Sequence, residues 1–482
     1  MQQPAAGTPA SPAAAAPANP APDPALEEAK RLFVAAIACQ NAGDVPGAMQ
    51  NYMQALEIAP RLSDAYNNIA VMLKMSRHLP AAVACLRRAA MFSPNSSSVF
   101  SNLGNLLWMS LEFEAADAAF RRAMEIDPKR PETLHNYGLL KFSLGDYAGA
   151  IDFYDRLLAQ RPDNLLVRWD RSLARLTSGD LARGFAEYDV RFDLDDPTMR
   201  FDPKLKTVRS APVPVWQGED LAGRTLHVYF EQGLGDTLQF ARYLPILAER
   251  GARIIFDCQP ELLRLLRGMP GIAELRPPGG AMPAADFQLP LLSVPSRLGI
   301  TMETIPAKVP YIPVPIADVP RLHRPPGTRL AVGIAWAGRP EHANDHNRST
   351  QLEQFLGLCD LPGVTLYSLQ KGPRANDIAA LNAQPLVRDL GNQIRDFADT
   401  AALVAQLDLV ICIDTAIAHL AGALGRPVFV LLPYTPDWRW FAAREDSPWY
   451  PTMRLVRQPT PKDWRSVMQR VHNTLVQILA RR

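Results

Sequence analysis

A chain of 482 residues is long enough for several cores, and its hydrophobic content of 48% is nowhere gathered into the roughly 20 uninterrupted apolar residues that a membrane-spanning helix needs. A net charge of +2 without a long basic run argues against a nucleic-acid binder. The five cysteines (Cys39, Cys85, Cys258, Cys359, Cys412) are odd in number, scattered and without C-x-x-C spacing, which points to reduced core thiols and away from a structural zinc site.

Residues 1–24 are mostly Ala and Pro and lack the basic start and Leu-rich centre of a secretory signal, so they read as a disordered extension and a cytoplasmic location is expected. From Ala25 the chain repeats itself. Pro60, Pro94, Pro128 and Pro162 stand 34 residues apart. Twelve positions before each lies Ala48, Ala82, Ala116 or Ala150, and eight before each lies Tyr52, Leu86, Phe120 or Tyr154. Ala36, Ala70, Gly104 and Gly138 supply a matching small residue on the preceding helix. Small and large residues four apart on one helical face let neighbouring helices approach and interlock. These residues resemble the tetratricopeptide repeat, over residues 25–194, and a plain helical bundle would not keep four positions in register. A degenerate fifth unit with Gly179 and Tyr188 caps the predicted α-solenoid. The resemblance implies a concave face holding a protein or peptide. Prolines 197, 203, 212 and 214 mark residues 195–224 as a linker.

Residues 225–482 alternate strands and helices. Strand Thr225–Phe230, the turn Glu231–Asp236, an amphipathic helix Thr237–Arg250 and strand Arg253–Phe256 open a first lobe, residues 225–314. A proline-rich stretch contains the hinge, residues 315–328. A second lobe, residues 329–482, then restarts with strand Leu330–Trp336, helix Leu352–Leu358, strand Val364–Gln370 and helices Arg374–Leu381 and Phe397–Gln406. It continues with strand Leu409–Ile413, the turn Asp414–Thr415, a helix carrying His419, a stop at Gly425 and a second buried strand; a helix Pro461–Leu479 closes the chain. The predicted fold class is therefore α followed by α/β, with two Rossmann-like lobes facing each other across a cleft.

Several groups are aimed at that cleft. Gly233-x-Gly235 could open a dinucleotide site with Asp257 as ribose ligand, but Leu238 occupies the third glycine position and argues against a nicotinamide enzyme. The same turn exposes Asp236 at a helix start, as an N-cap, a catalytic carboxylate or both. His342 and His346 are four apart, yet Pro340, Asn344 and Asn347 favour a loop over a metal pair. Arg348 precedes a helix expected to be capped by Ser349 or Thr350, a place suited to gripping phosphate. Lys371 is expected to point from its strand end into the same crevice. With Asp414, Thr415 and His419 at a helix N-terminus, whose free N–H groups favour anions, a diphosphate is the expected occupant. For the cluster Tyr434, Trp438, Trp440, Phe441, Trp449 and Tyr450, core packing is preferred over stacking a base or sugar.

The GLGD turn, the WAG…ND…RS loop, the Lys371 strand end and D-T-x3-H-L-A-G-A-L-G-R-P resemble the GT-B glycosyltransferases of the heptosyltransferase group, among bacterial proteins that join tetratricopeptide repeats to such a domain. The build is also similar to O-linked N-acetylglucosamine transferases. Two positions depart from the heptosyltransferase pattern: Arg348 stands where it has lysine, and Ala416 where it has glycine. The resemblance implies a metal-independent, inverting transferase without a cofactor, using a nucleotide-diphosphate sugar as co-substrate. It gives Asp236 the role of general base, and gives Gly235, Arg348, Lys371, Asp414, Thr415 and His419 to the donor diphosphate. A repeat scaffold with a degenerate transferase domain and a nucleotide-sugar epimerase are the alternatives.

Overall fold

The computed structural model describes residues 24–194, 212–342 and 344–481. The expected extension, apart from Pro24, and most of the expected linker lie outside these residues. The chain divides into two compact units, one ending at Leu140 and the other beginning at Lys141.

The first unit is built from helix pairs: α1 (Pro24–Asn41), α2 (Val45–Ile58), α3 (Ser63–Met75), α4 (Leu79–Phe92), α5 (Ser97–Met109), α6 (Phe113–Ile126) and most of α7 (Pro131–Ser143). The small and large repeat positions are where the helices touch. Ala48, Ala82 and Ala116 are fully buried, as are Tyr52 and Phe120. Gly104 shows why a small residue is required: a Cβ there would lie 2.9 Å from the Phe120 ring. Phe120 in turn stacks on Tyr137 at 5.3 Å. Turn residues cap the helices they precede, Asp44 accepting from Gly47 N (3.0 Å) and Ser96 from Val99 N (3.5 Å).

The second unit begins with the end of α7, then α8 (Tyr147–Gln160), α9 (Leu165–Ser178) and α10 (Leu181–Tyr188). Beyond them lie two parallel sheets. The first contains β1 (Thr225–Tyr229), β2 (Arg253–Asp257), β3 (Glu274–Arg276) and β4 (Phe287–Pro290), in the order β3-β2-β1-β4. The second contains β5 (Leu330–Ala335), β6 (Val364–Ser368), β7 (Val387–Asp389), β8 (Leu409–Ile413), β9 (Val428–Leu432) and β10 (Met453–Arg457), in the order β10-β9-β8-β5-β6-β7. Every residue of β5, β8 and β9 is buried, as continuous apolar runs in covered parallel strands should be. The strand order reverses between β1 and β4 and again between β5 and β8. Loops diverge at such switch points, leaving a crevice at the carboxyl ends of the strands.

Three local expectations are corrected. The helix drawn as Thr237–Arg250 starts at Leu234, ends at Phe240, and resumes as Leu244–Glu249 after a tight turn. Pro245 has no N–H to carry one helix through. The closing helix runs Trp464–Arg481, with Asp463 accepting from Ser466 N (3.0 Å). Where two lobes facing each other across a cleft are expected, the helix Leu234–Phe240 also packs directly on the helix Ala416–Ala423, and one apolar core runs through both lobes. Among the described residues no helix is long and apolar enough to cross a membrane.

Candidate active site

Strand β8 ends at Ile413, and after Asp414 the residue Thr415 turns the chain with extended backbone (φ −145°, ψ 173°) into the helix Ala416–Ala423. No side chain caps this helix, so its first N–H groups keep their donor capacity. Gly425 at φ +66° stops it, a conformation glycine adopts without Cβ strain. His419 lies one turn in and is buried. Its Nδ1 is 3.0 Å from the Tyr450 hydroxyl and its ring stacks on Trp440 at 5.1 Å. Burial, then the guanidinium groups of Arg439, Arg242 and Arg348, hold its pKa well below the usual imidazole value, so the ring is neutral.

The GLGD turn meets this helix directly. A Cβ on Gly235 would lie 2.9 Å from His419 Cδ2 and 3.5 Å from Ala416 Cα. Gly235 is thus needed for close approach, since its φ is not positive. Asp236 is the third helical residue rather than the N-cap, which is Gly233. Its Oδ2 accepts from Gly233 N (2.8 Å), while its Oδ1 accepts from Arg439 Nη2. Gln259 steadies the turn, accepting from Thr237 Oγ1 (2.9 Å) and donating to Gln232 O (3.1 Å).

Arg439 is the site residue that sequence reasoning missed. It is buried between two carboxylates, donating from Nη1 to Asp437 Oδ1 (2.8 Å) as well as to Asp236, and its guanidinium lies 4.4 Å from the Trp438 ring centre. Burial alone would lower its pKa; Asp236 and Asp437 outweigh burial and raise it well above the ordinary value. Removing either carboxylate would leave the buried guanidinium less well compensated.

Arg348 approaches from the end of β5. It closes a short helical turn, Asp345–Arg348, and its Nη1 donates to Asp414 O (3.2 Å) while Nε lies 3.5 Å from Asp345 Oδ1. Gly338 makes room for it, since a Cβ there would sit 2.7 Å from Arg348 Nη2. The expected cap at Ser349 or Thr350 is not formed. Ser349 Oγ instead accepts from Gly338 N (3.0 Å) and donates to Asp345 Oδ1 (2.8 Å), Thr350 N donates to Trp336 O (2.9 Å), and the next helix starts only at Glu353. Asp414 is half-buried, and its carboxyl is pushed up to about 6, first by burial and then by Asp437.

The structure therefore brings Gly235, Asp236, Arg348, Asp414, Thr415 and His419 to one place. Lys371 stands apart from their contacts: its Nζ donates to the carbonyls of Gly391 (3.0 Å) and Ile394 (3.2 Å), which the flexible lysine stem reaches at the end of β6. Asp257 lies beside His227 (3.1 Å) and Arg276 (3.3 Å), and Leu238 is fully buried. His342 is in a turn and His346 in the short helix before Arg348; among the described residues no group of three His, Cys, Asp or Glu side chains is placed to hold a metal. Trp438, Trp440, Phe441, Trp449 and Tyr450 are buried as core, and Tyr434 is half-buried.

Comparison with known proteins adds to this geometry. Residues 390–472 match glycosyltransferase family 9 (heptosyltransferase), and residues 131–164 match the tetratricopeptide repeat. The first match contains Asp414, Thr415, His419 and Arg439, while Asp236, Arg348 and Lys371 lie outside it. The chain is 26% identical over 393 residues to the protein FlbA of Caulobacter vibrioides, covering 69% of this chain and 65% of FlbA, just under two thirds of that relative. Among solved structures, PilF of Pseudomonas aeruginosa aligns at 19% identity over 35% of this chain and 77% of its own, with a TM-score of 0.33. YrrB, described as a TPR protein with an unusual peptide-binding site, aligns at 17% identity over 36% of this chain and 90% of its own, with a TM-score of 0.31.

Proposed function

We propose, for a chain that joins tetratricopeptide repeats to a glycosyltransferase family 9 domain, transfer of a sugar from a nucleotide-diphosphate donor to a hydroxyl on a protein held by the repeats. The observation that supports this reading is the contact of Gly235, the residue before Asp236, with His419 and with Ala416 at the uncapped helix start. In this GT-B-like arrangement the donor diphosphate accepts from the free N–H groups of that helix and from Arg348. Neutral His419 can donate one hydrogen bond without adding charge. The acceptor oxygen attacks the anomeric carbon, the bond from that carbon to the β-phosphate oxygen breaks, and Asp236 takes the hydroxyl proton. Attack opposite the leaving group inverts the anomeric centre. Fixed donors carry the charge on the departing diphosphate, which is how preorganised sites accelerate such steps, and no metal is invoked.

A second reading, a repeat scaffold with an inactive transferase domain, is favoured by one fact: the Asp236 carboxylate is already engaged by Gly233 and Arg439. Isothermal titration with UDP-, GDP- and ADP-sugars, combined with transfer assays of Asp236→Asn, separates the two. Transfer predicts binding of one donor class and loss of product in the variant. Absence of binding to every donor, with unchanged partner capture in the variant, leaves the scaffold.

A further inference from the structure

We propose that Arg439 is a gate on Asp236: it holds the carboxylate while the donor site is empty and moves one arm to the diphosphate when the donor binds, freeing the base only once there is a sugar to transfer. The inference rests on the donor-site reading above and adds an order to it, donor before acceptor.

Three observations lead here. The Arg439 guanidinium is split, with Nη2 on Asp236, Nη1 on Asp437, and a buried Nε for which the described residues provide no acceptor. Asp437 also accepts from the Arg439 backbone N–H (3.0 Å), so that arm is anchored while the Asp236 arm is the one that can change partner. The next residue, Trp440, stacks on His419 in the helix that begins at Ala416, and this sets Arg439 beside the diphosphate site. Its electrostatic effect on His419 agrees with that placement.

The exchange is chemically even. One guanidinium arm passing from a carboxylate oxygen to a phosphate oxygen exchanges one charge-assisted bond for another while Asp437 still holds the other arm, so the buried cation is never left unpaired. Lysine cannot hold two acceptors in a plane, so an arginine is the side chain this exchange needs. Asp236 keeps its bond from Gly233 N and so remains oriented when Arg439 leaves.

The test is a binding cycle on the full chain, with UDP, GDP and ADP as probes and thermal melting to confirm folding. Asp236→Asn weakens the hold on Arg439 and is expected to tighten nucleoside diphosphate binding about 10-fold. Arg439→Met is expected to weaken it by a similar factor, and the gain from Asp236→Asn should shrink to less than 2-fold in the Arg439→Met background. Arg439→Lys repeats the arm if the methionine variant does not fold. An equal gain from Asp236→Asn with and without Arg439 overturns the gate and leaves the donor site standing. Weaker or unchanged binding in Asp236→Asn alone does the same. Absence of binding by every protein, wild type included, removes the donor-site reading and the gate with it.

Discussion

Two helix starts meet at this site and are built in opposite ways. The one at Leu234 is satisfied internally, with the Asp236 carboxylate bonded to Gly233 N and paired with Arg439. The one at Ala416 has no side-chain cap, and Asp414, two residues before it, presents its backbone carbonyl to Arg348. A negative group filling the first would stop an anion binding there, and its absence from the second leaves N–H groups and a partial positive charge to be used. The proposed transfer uses this difference, with acid–base chemistry in one lobe and diphosphate binding in the other.

Removing the carboxylate separates the two roles most sharply. Asp236→Asn should lower transfer by about 10²–10⁴-fold, the usual contribution of a general base, while nucleoside diphosphates still bind. Loss of both together in a folded protein would assign Asp236 to the donor half. Next comes Arg348→Met, expected to weaken nucleoside diphosphate binding roughly 10-fold, as loss of a charge-assisted pair implies, and measurable by titration calorimetry. Gly235→Ala should cost about 1–3 kcal/mol in denaturant unfolding, because its Cβ would press on a ring fixed by Trp440 and Tyr450.

Asp414 supplies a pH dependence. Its carboxyl is raised to about 6, so between its ordinary value and 6 the folded chain holds a proton that the unfolded chain has lost. Stability attached to this group therefore falls as pH rises through that window. Asp414→Asn should flatten that part of a plot of melting temperature against pH; an unchanged slope would place the titration elsewhere. The smallest effect belongs to Lys371→Ala. Because its ammonium is bonded to Gly391 and Ile394, nucleoside diphosphate affinity should change by less than about 2-fold, and a 10-fold loss would return this lysine to the donor site.

Much of the architecture was legible because its cause is local or periodic. Proline register and small–large pairs specify the repeats, and an unbroken apolar run marks β8 together with the helix start that follows it. The Asp236 turn and the Arg348 loop could be named as candidates for the same reason. Arg439 could not, since its meaning depends on a carboxylate 203 residues away, and Trp438 and Trp440 around it read simply as core. The expected caps at Ser349 and Thr350 failed because those residues serve the end of β5 instead of a helix. The reach of Lys371 failed because nearby carbonyls compete for its ammonium, and a flexible side chain leaves no sequence mark of which acceptor it takes.

The most direct measurement is a structure of the protein with a nucleoside diphosphate bound. The account predicts phosphate oxygens against the N–H groups of Ala416 and Ile417, with Arg348 on the same group and Asp236 facing the open end of the β-phosphate. Phosphates bound away from the Ala416 helix start, with Asp236 turned from them, would contradict it.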